Sequence, residues 1–205
     1  MVSVNQIIFF LFVLTQMGTG ETPPDITTAT DSLRFDIVMK GKVVGNLEAI
    51  RKKKEGKVRF QSSTTIKTRV ITDIEVNYNY DVVFEDKVLE QAYVTIEVNQ
   101  KTHANTTTKR EGNGYQILIN DKKDRVVEEP INYATIQLYF EEPVNTTRCY
   151  SEQDGTFNSL VPLGGHRYKK INSKGKENTY SYSNGYLEKA NIDGGLVKFD
   201  IVAHR

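Results

Sequence analysis

The most site-like polar residues of this chain are His166, beside Arg167, and the Ser151-Glu152 step. Together they hold a hydroxyl nucleophile, a carboxylic acid and an imidazole base. An enzyme built on Ser151, Glu152 and His166 is therefore one reading, and it requires the three side chains to converge in one pocket. The plainer reading gives each of them a turn or a structural hydrogen bond. Cys149 is the only cysteine and can form no internal disulfide. A reactive thiol needs a base and an electropositive setting, and Arg148 alone supplies little of that. A buried, inert thiol is the expectation.

The usual catalytic and cofactor patterns are missing. Gly164-Gly165 is too short for a phosphate loop, and no Gly-x-Ser-x-Gly elbow occurs. The histidines at 103, 166 and 204 lack metal-ligand spacing, and no cofactor is expected. The carboxylate pairs Glu128-Glu129 and Glu141-Glu142 are sequence neighbours that point apart on a strand or loop, whereas paired acid–base work needs both facing one bond. Asn105-Thr106-Thr107 and Asn145-Thr146-Thr147 match the N-glycosylation acceptor pattern, which carries meaning only where the host glycosylates. The formal net charge is +1, from 27 basic and 26 acidic residues, so no electrostatic argument exists for nucleic acid or an anionic membrane.

The elements that would have to position any site are strands. From Ile74 to Phe84 every even position is apolar or aromatic: Ile74, Val76, Tyr78, Tyr80, Val82 and Phe84. Side chains alternate between faces on a strand, so this segment has one buried and one wet face. The strand before it places Val58, Phe60, Ser62, Thr64, Ile66, Thr68 and Val70 on one face, and the strand after it places Val94, Ile96 and Val98. Ser62 and Thr64 are small residues within a bulky stripe and would leave room over a concave face. A ligand held there would meet Phe60, Ser62, Thr64, Ile66, Val76, Tyr78, Tyr80, Val94 and Ile96.

Around this meander the chain reads as mainly β. Strands are expected at 33–39, 43–52, 57–70, 74–84, 93–98, 115–119, 148–150, 168–171, 179–182, from 186, and at 197–203, giving a large curved antiparallel sheet, a half-barrel of about ten or eleven strands that wraps one short helix; 102–109 could be another. The 102–109 segment is rich in threonine and reads as wet on both faces. Gly45 marks a bulge or sharp bend in the second strand. Asn113-Gly114 and Asn184-Gly185 are two-residue hairpin signals, and 121–125 reads as a charged turn. The four cations of Arg51-Lys52-Lys53-Lys54 form either a solvated turn or a patch for a phosphate or partner. Pro130 followed by Ile131, Ala134 and Leu138 predicts a short helix over 131–141 that covers the open face of the sheet.

The N-terminus has a different character. Ile7–Leu14 is unbroken apolar sequence followed by Gly18-Thr19-Gly20, the pattern of a secretory signal over 1–20. The segment before it carries no Lys or Arg, and a buried N-terminal strand or helix is the alternative. The run is too short to cross a bilayer core of about 30 Å. A polar lead-in over 21–32 and a single β-rich domain over 33–205 follow.

Four groups of residues carry a family resemblance: Phe35-Asp36-Ile37 with Gly45 and the alternating meander after it; Tyr139-Phe140-Glu141-Glu142-Pro143; Tyr150-Ser151-Glu152 with Asp154-Gly155; and Asn178-Thr179-Tyr180-Ser181-Tyr182 with Asn184-Gly185. In these the chain resembles the exported bacterial proteins of domain-of-unknown-function family 6134. It is similar also to family 3108, and more distantly to the LolA/LolB lipoprotein-carrier half-barrel. The resemblance implies a periplasmic or cell-surface protein whose curved sheet wraps a helix, with no functional residue to carry over.

Two functions fit these observations. One is a monomeric, non-enzymatic exported protein that holds a lipophilic molecule or a polypeptide segment in its concave face. The other is an envelope module with a filled core that docks an envelope protein through wet strand faces and the basic 167–176 segment. Export predicts that N-terminal sequencing of the protein recovered outside the cytoplasm starts at Glu21; an intact Met1 there would overturn the signal reading.

Overall fold

The computed structural model describes residues 29–69, 73–195 and 197–204. The expected signal segment and residues 21–28 of the lead-in lie outside the described residues. Fourteen strands form one antiparallel sheet. They are β1 (Ala29–Met39), β2 (Lys42–Lys54), β3 (Lys57–Arg69), β4 (Asp73–Glu85), β5 (Val88–Val98), β6 (Lys101–Glu111) and β7 (Gly114–Ile119), then β8 (Lys122–Val127), β9 (Arg148–Ser151), β10 (Thr156–Gly164), β11 (Arg167–Ile171), β12 (Glu177–Ser183), β13 (Tyr186–Asp193) and β14 (Lys198–Ala203). Residues 29–32, expected in the lead-in, are already strand.

Neighbours in the sheet run β8-β7-β6-β5-β4-β3-β2-β1-β14-β13-β12-β11-β10-β9. This is chain order taken round a circle, joined where β1 pairs with β14 (Phe35 opposite Ala203) and open only between β8 and β9. Contacts across the enclosed space show that the sheet curls on itself. Thr108 of β6 and Tyr150 of β9 share a hydroxyl–hydroxyl bond of 2.8 Å, and Tyr78 of β4 lies 6.4 Å from Phe199 of β14, centroid to centroid.

Tight hairpins explain the long register-true ladders. Lys40-Gly41, Glu55-Gly56, Asp86-Lys87, Asn99-Gln100, Asn120-Asp121 and Asn184-Gly185 each have positive φ at both residues. Two-residue turns of this kind match the twist of the strands they join. The hairpin expected at Asn113-Gly114 is displaced by one residue: Glu111 pairs with Gly114, and Gly112-Asn113 form the turn with positive φ at Gly112 alone.

The meander alternates as its sequence requires. Phe60, Ile66, Val76, Val82 and Phe84 are buried on one face. The other face carries cross-strand polar pairs such as Thr65–Asn77 at 2.8 Å and Lys67–Glu75 at 3.3 Å. Three further readings need correction. The sheet has 14 strands rather than ten or eleven, because β8 and β10 carry no apolar alternation. β8 is a charged edge strand with five of its six residues exposed, which suits an unpaired edge. β10 contains Pro162 and turns only Asn158 and Leu160 into the core. Second, β6 is not wet on both faces: Thr106 and Thr108 are buried, their hydroxyls bonded to the Gln153 carbonyl (2.8 Å) and to Tyr150.

The third correction concerns the helix. Residues 128–147 connect β8 to β9 through the enclosed space, and only Thr135–Tyr139 is helical, as a single 3-10 turn. The backbone before it is committed elsewhere. Leu89 N–H donates to the Ile131 carbonyl and Tyr150 N–H to the Tyr133 carbonyl, both at 2.8 Å, and Ala134 bridges Tyr150 in parallel. An α-helix would need those carbonyls for its own ladder. Ile131, Ala134, Ile136, Leu138 and Phe140 are all buried, so the connection does cover the concave face. Burying a large apolar side chain is worth about 1.5–3 kcal/mol, so this segment contributes heavily to the core.

Gly45 sits where β2 bulges, with Ile37 opposite Gly45 and Val38 opposite Val43. A Cβ on Gly45 would lie 1.8 Å from the Thr65 carbonyl oxygen of β3. Gly45→Ala is therefore expected to destabilise the fold by about 3 kcal/mol, the upper range for overpacking, measured by urea unfolding. An unchanged midpoint would show that β2 and β3 can separate there.

Candidate functional site

The concave face divides into a dry part and an open part. Ile66 and Val76 are fully buried, and Val94 and Ile96 nearly so, within the continuous apolar core. Phe60 packs edge-on against Phe84 at 6.0 Å and against Phe140 at 5.4 Å. The open part is a cavity of about 270 Å³ between β2–β4 on one side and β9–β14 on the other, bordered also by the 3-10 turn. Of the nine residues expected to face a ligand, Thr64, Tyr78 and Tyr80 line this cavity. The small side chain of Thr64 makes part of the space, as its place in the stripe implies. Ser62 is buried beside it without lining this cavity.

The wall facing those residues is polar. It includes Thr135, Tyr139, Glu152, Asn158, Lys170 and Tyr180. Glu152 is 1% exposed, and its carboxylate accepts the backbone N–H of Thr135 (3.2 Å) and of Ile136 (3.0 Å), capping the 3-10 turn. Burial pushes the Glu152 carboxyl above its ordinary range, against the pull of the backbone N–H of Ile136 and the Lys170 charge. Lys170 Nζ donates to Thr135 Oγ1 at 3.4 Å, while that hydroxyl donates to the Tyr150 carbonyl at 3.1 Å. Asn158 is 2% exposed, and neither its amide nitrogen nor its amide oxygen has a partner among the described residues.

Four tyrosines complete the wall. Tyr80 OH donates to Gln153 Oε1 at 3.2 Å, and Tyr78 OH to the Gly194 carbonyl at 3.4 Å. Burial raises Tyr78 to about 12 and pushes Tyr80, Tyr139 and Tyr180 well above the ordinary phenol value. All four are neutral near pH 7, so they offer hydroxyls and ring faces, not charge.

The residues first considered for chemistry are dispersed. Ser151 and Glu152 line the cavity, with Ser151 Oγ donating to Asp154 at 3.0 Å. His166 lies in the β10–β11 turn, its exposed imidazole 3.1 Å from Glu142, and is not part of the cavity wall. Cys149 is fully buried, and burial raises its thiol to about 11, so the thiolate is scarce near neutral pH. No group of three or more His, Cys, Asp or Glu side chains that could hold a metal occurs among the described residues. No helix among them is long and apolar enough to cross a membrane, which says nothing of strands.

Two basic segments also resolve. In the 167–176 stretch Lys169 faces out to Glu177 at 2.8 Å, whereas Lys170 turns inward and is 8% exposed. In the 51–54 stretch Arg51 turns inward, bonds Asp31 at 2.7 Å and lies 5.2 Å from the Phe140 ring, leaving the lysines at the tip. Of the acceptor asparagines, Asn105 is bonded to Asp121 through both amide atoms, while Asn145 is exposed.

The family model described as a domain of unknown function (DUF6134) matches residues 35–204. The chain belongs to this family. The match spans β1 to β14 and therefore the whole circle of strands and the connection within it. No curated protein and no solved structure matches the chain. The likeness to the LolA/LolB carriers thus rests on the sequence resemblance alone, and function has to be argued from the cavity.

Because the folded state holds the Glu152 proton more tightly than the unfolded chain does, this group favours folding at acid pH. That contribution is fully present below the ordinary glutamate range and is lost as the pH rises through the folded-state value. Glu152→Gln removes the titration. The stability of the native protein minus that of the variant, from urea unfolding between pH 4 and 8, is expected to fall as the pH rises. A flat difference would show that the N–H bonds cancel the burial.

Proposed function

We propose that this protein is an exported, non-enzymatic binding protein that holds a small polar molecule in the open part of its concave face. The carrying observation is the cavity of about 270 Å³ walled by four tyrosine rings, Asn158 and Lys170. Ligand pockets run from roughly 300 to 1,000 Å³ with a few convergent polar groups, and this one lies just below that range, which suits only a small ligand. A cavity this polar is costly to leave without partners, since buried amides and cations require hydrogen bonds. Ring faces and neutral hydroxyls suit the flat face and polar rim of a small ligand.

The dry part of the face argues against a lipophilic occupant along the stripe. Ile66, Val76, Val94 and Ile96 are covered by core side chains, whereas Phe60 packs on Phe84 and Phe140 and borders a separate, more open groove of about 740 Å³. That same packing supports the second reading, an envelope module whose interior serves only stability. The readings differ on whether the cavity is occupied.

Native mass spectrometry of the protein purified from its own host tests this. The expected result is a bound species released on denaturation and lost in Thr64→Phe, which fills the cavity from β3. Equal occupancy in a folded Thr64→Phe variant, or a native mass equal to that of the bare chain, would overturn the binding reading in favour of the module.

A further inference from the structure

The cavity wall holds three lysines, Lys170, Lys174 and Lys176, against three carboxylates, Glu152, Asp154 and Asp193, yet it leaves Lys170 without a directly bonded carboxylate. Its carboxylates are engaged: Glu152 by the N–H groups of Thr135 and Ile136, Asp193 by Lys198 at 3.2 Å and Lys176 at 3.5 Å, and Asp154 by Ser151 Oγ at 3.0 Å. Lys170, 8% exposed, has one bond, to a neutral hydroxyl at 3.4 Å; it makes no ion pair among the described residues, and the buried Glu152 carboxylate is the charge that acts on it from a distance. An ammonium this buried is normally paired.

The second observation is independent of charge. Asn158 is 2% exposed, and both ends of its amide lack a partner. Register brings the two residues together. Asn158 and Leu160 share the inward face of β10, and Leu160 lies directly opposite Lys170 of β11. An unpartnered amide, its atoms without open surface of their own, and an under-partnered ammonium therefore stand on adjacent strands of one cavity wall, where one anionic group entering between them would satisfy both.

We infer that the ligand is a small carboxylate, its two oxygens taken by Lys170 Nζ and Asn158 Nδ2 and its body lying against Tyr80 and Tyr139. This rests on the binding reading above and adds the ligand's charge. A carboxylate is planar and accepts two donors side by side, the number that Lys170 and Asn158 together would supply. The Asn158 Oδ1 acceptor is left for a hydroxyl or amide of the ligand body.

The test compares shape-matched acids and amides, benzoate with benzamide and glucuronate with glucuronamide, by calorimetric titration of the full mature chain. At least one acid is expected to bind about tenfold tighter than its amide, as a charge-assisted bond allows. Lys170→Met is expected to remove that advantage while Lys170→Arg keeps most of it, so the charge is read even if one variant folds poorly. Amides that bind as well as acids, or an acid preference that survives in Lys170→Met, would overturn the carboxylate assignment and leave the binding reading intact. Wild-type protein that binds none of the four probes would also overturn it, and the Thr64→Phe occupancy comparison would then decide the binding reading alone.

Discussion

A strand order that follows the chain round a circle has one unavoidable consequence: the segment that joins β8 to β9 must deal with the space the sheet encloses. Here that segment enters it. Its backbone then lies among apolar side chains and must find partners there. It finds them on several sides, in Leu89 of β5, Tyr115 of β7 and Tyr150 of β9. Each of those bonds also locates the segment, so the interior is assembled by backbone satisfaction as much as by apolar contact. The 3-10 turn follows from the same condition. Between two anchored ends there is room for one tight turn, and the carboxylate of Glu152 receives two of the N–H groups at its start.

Strand alternation and turn chemistry were legible because each is a local rule. Ile74 to Phe84 had to be a one-faced strand, and Asn184-Gly185 had to be a tight turn, whatever surrounded them. β8 was not legible because its residues obey no such rule: an exposed edge strand is held by its ladder with β7 and carries charge to stay unpaired. The connection misled for a related reason. Ile131, Ala134 and Leu138 fall at helical spacing, but the spacing records which residues are buried and not how the backbone gets between them.

The site divides along the same line. Thr64, Tyr78 and Tyr80 stand on long alternating strands, and the small residue in the stripe marked the room it leaves. Lys170 and Asn158 stand on short strands where one residue of register decides the face. Lys169-Lys170 looks like a solvated pair, yet one lysine meets Glu177 outside and the other enters the cavity. Only the pairing of Leu160 with Lys170 settles that, and pairing between distant segments cannot be read from either segment alone.

The division between dry and open parts bears on what kind of molecule the fold accommodates. The connection fills the enclosed space with Ile131, Ile136, Leu138 and Phe140, and those side chains take the apolar surface a lipid would need. What they leave is bounded by side chains with hydroxyls, an amide and a cation. A core under no constraint but stability would place apolar groups at those positions, since unpaired polar groups in an interior cost about 1–3 kcal/mol each. Asn158 stands there unpartnered, on a strand that packs Leu160 two residues on, and this asymmetry is what the proposed binding reading rests on.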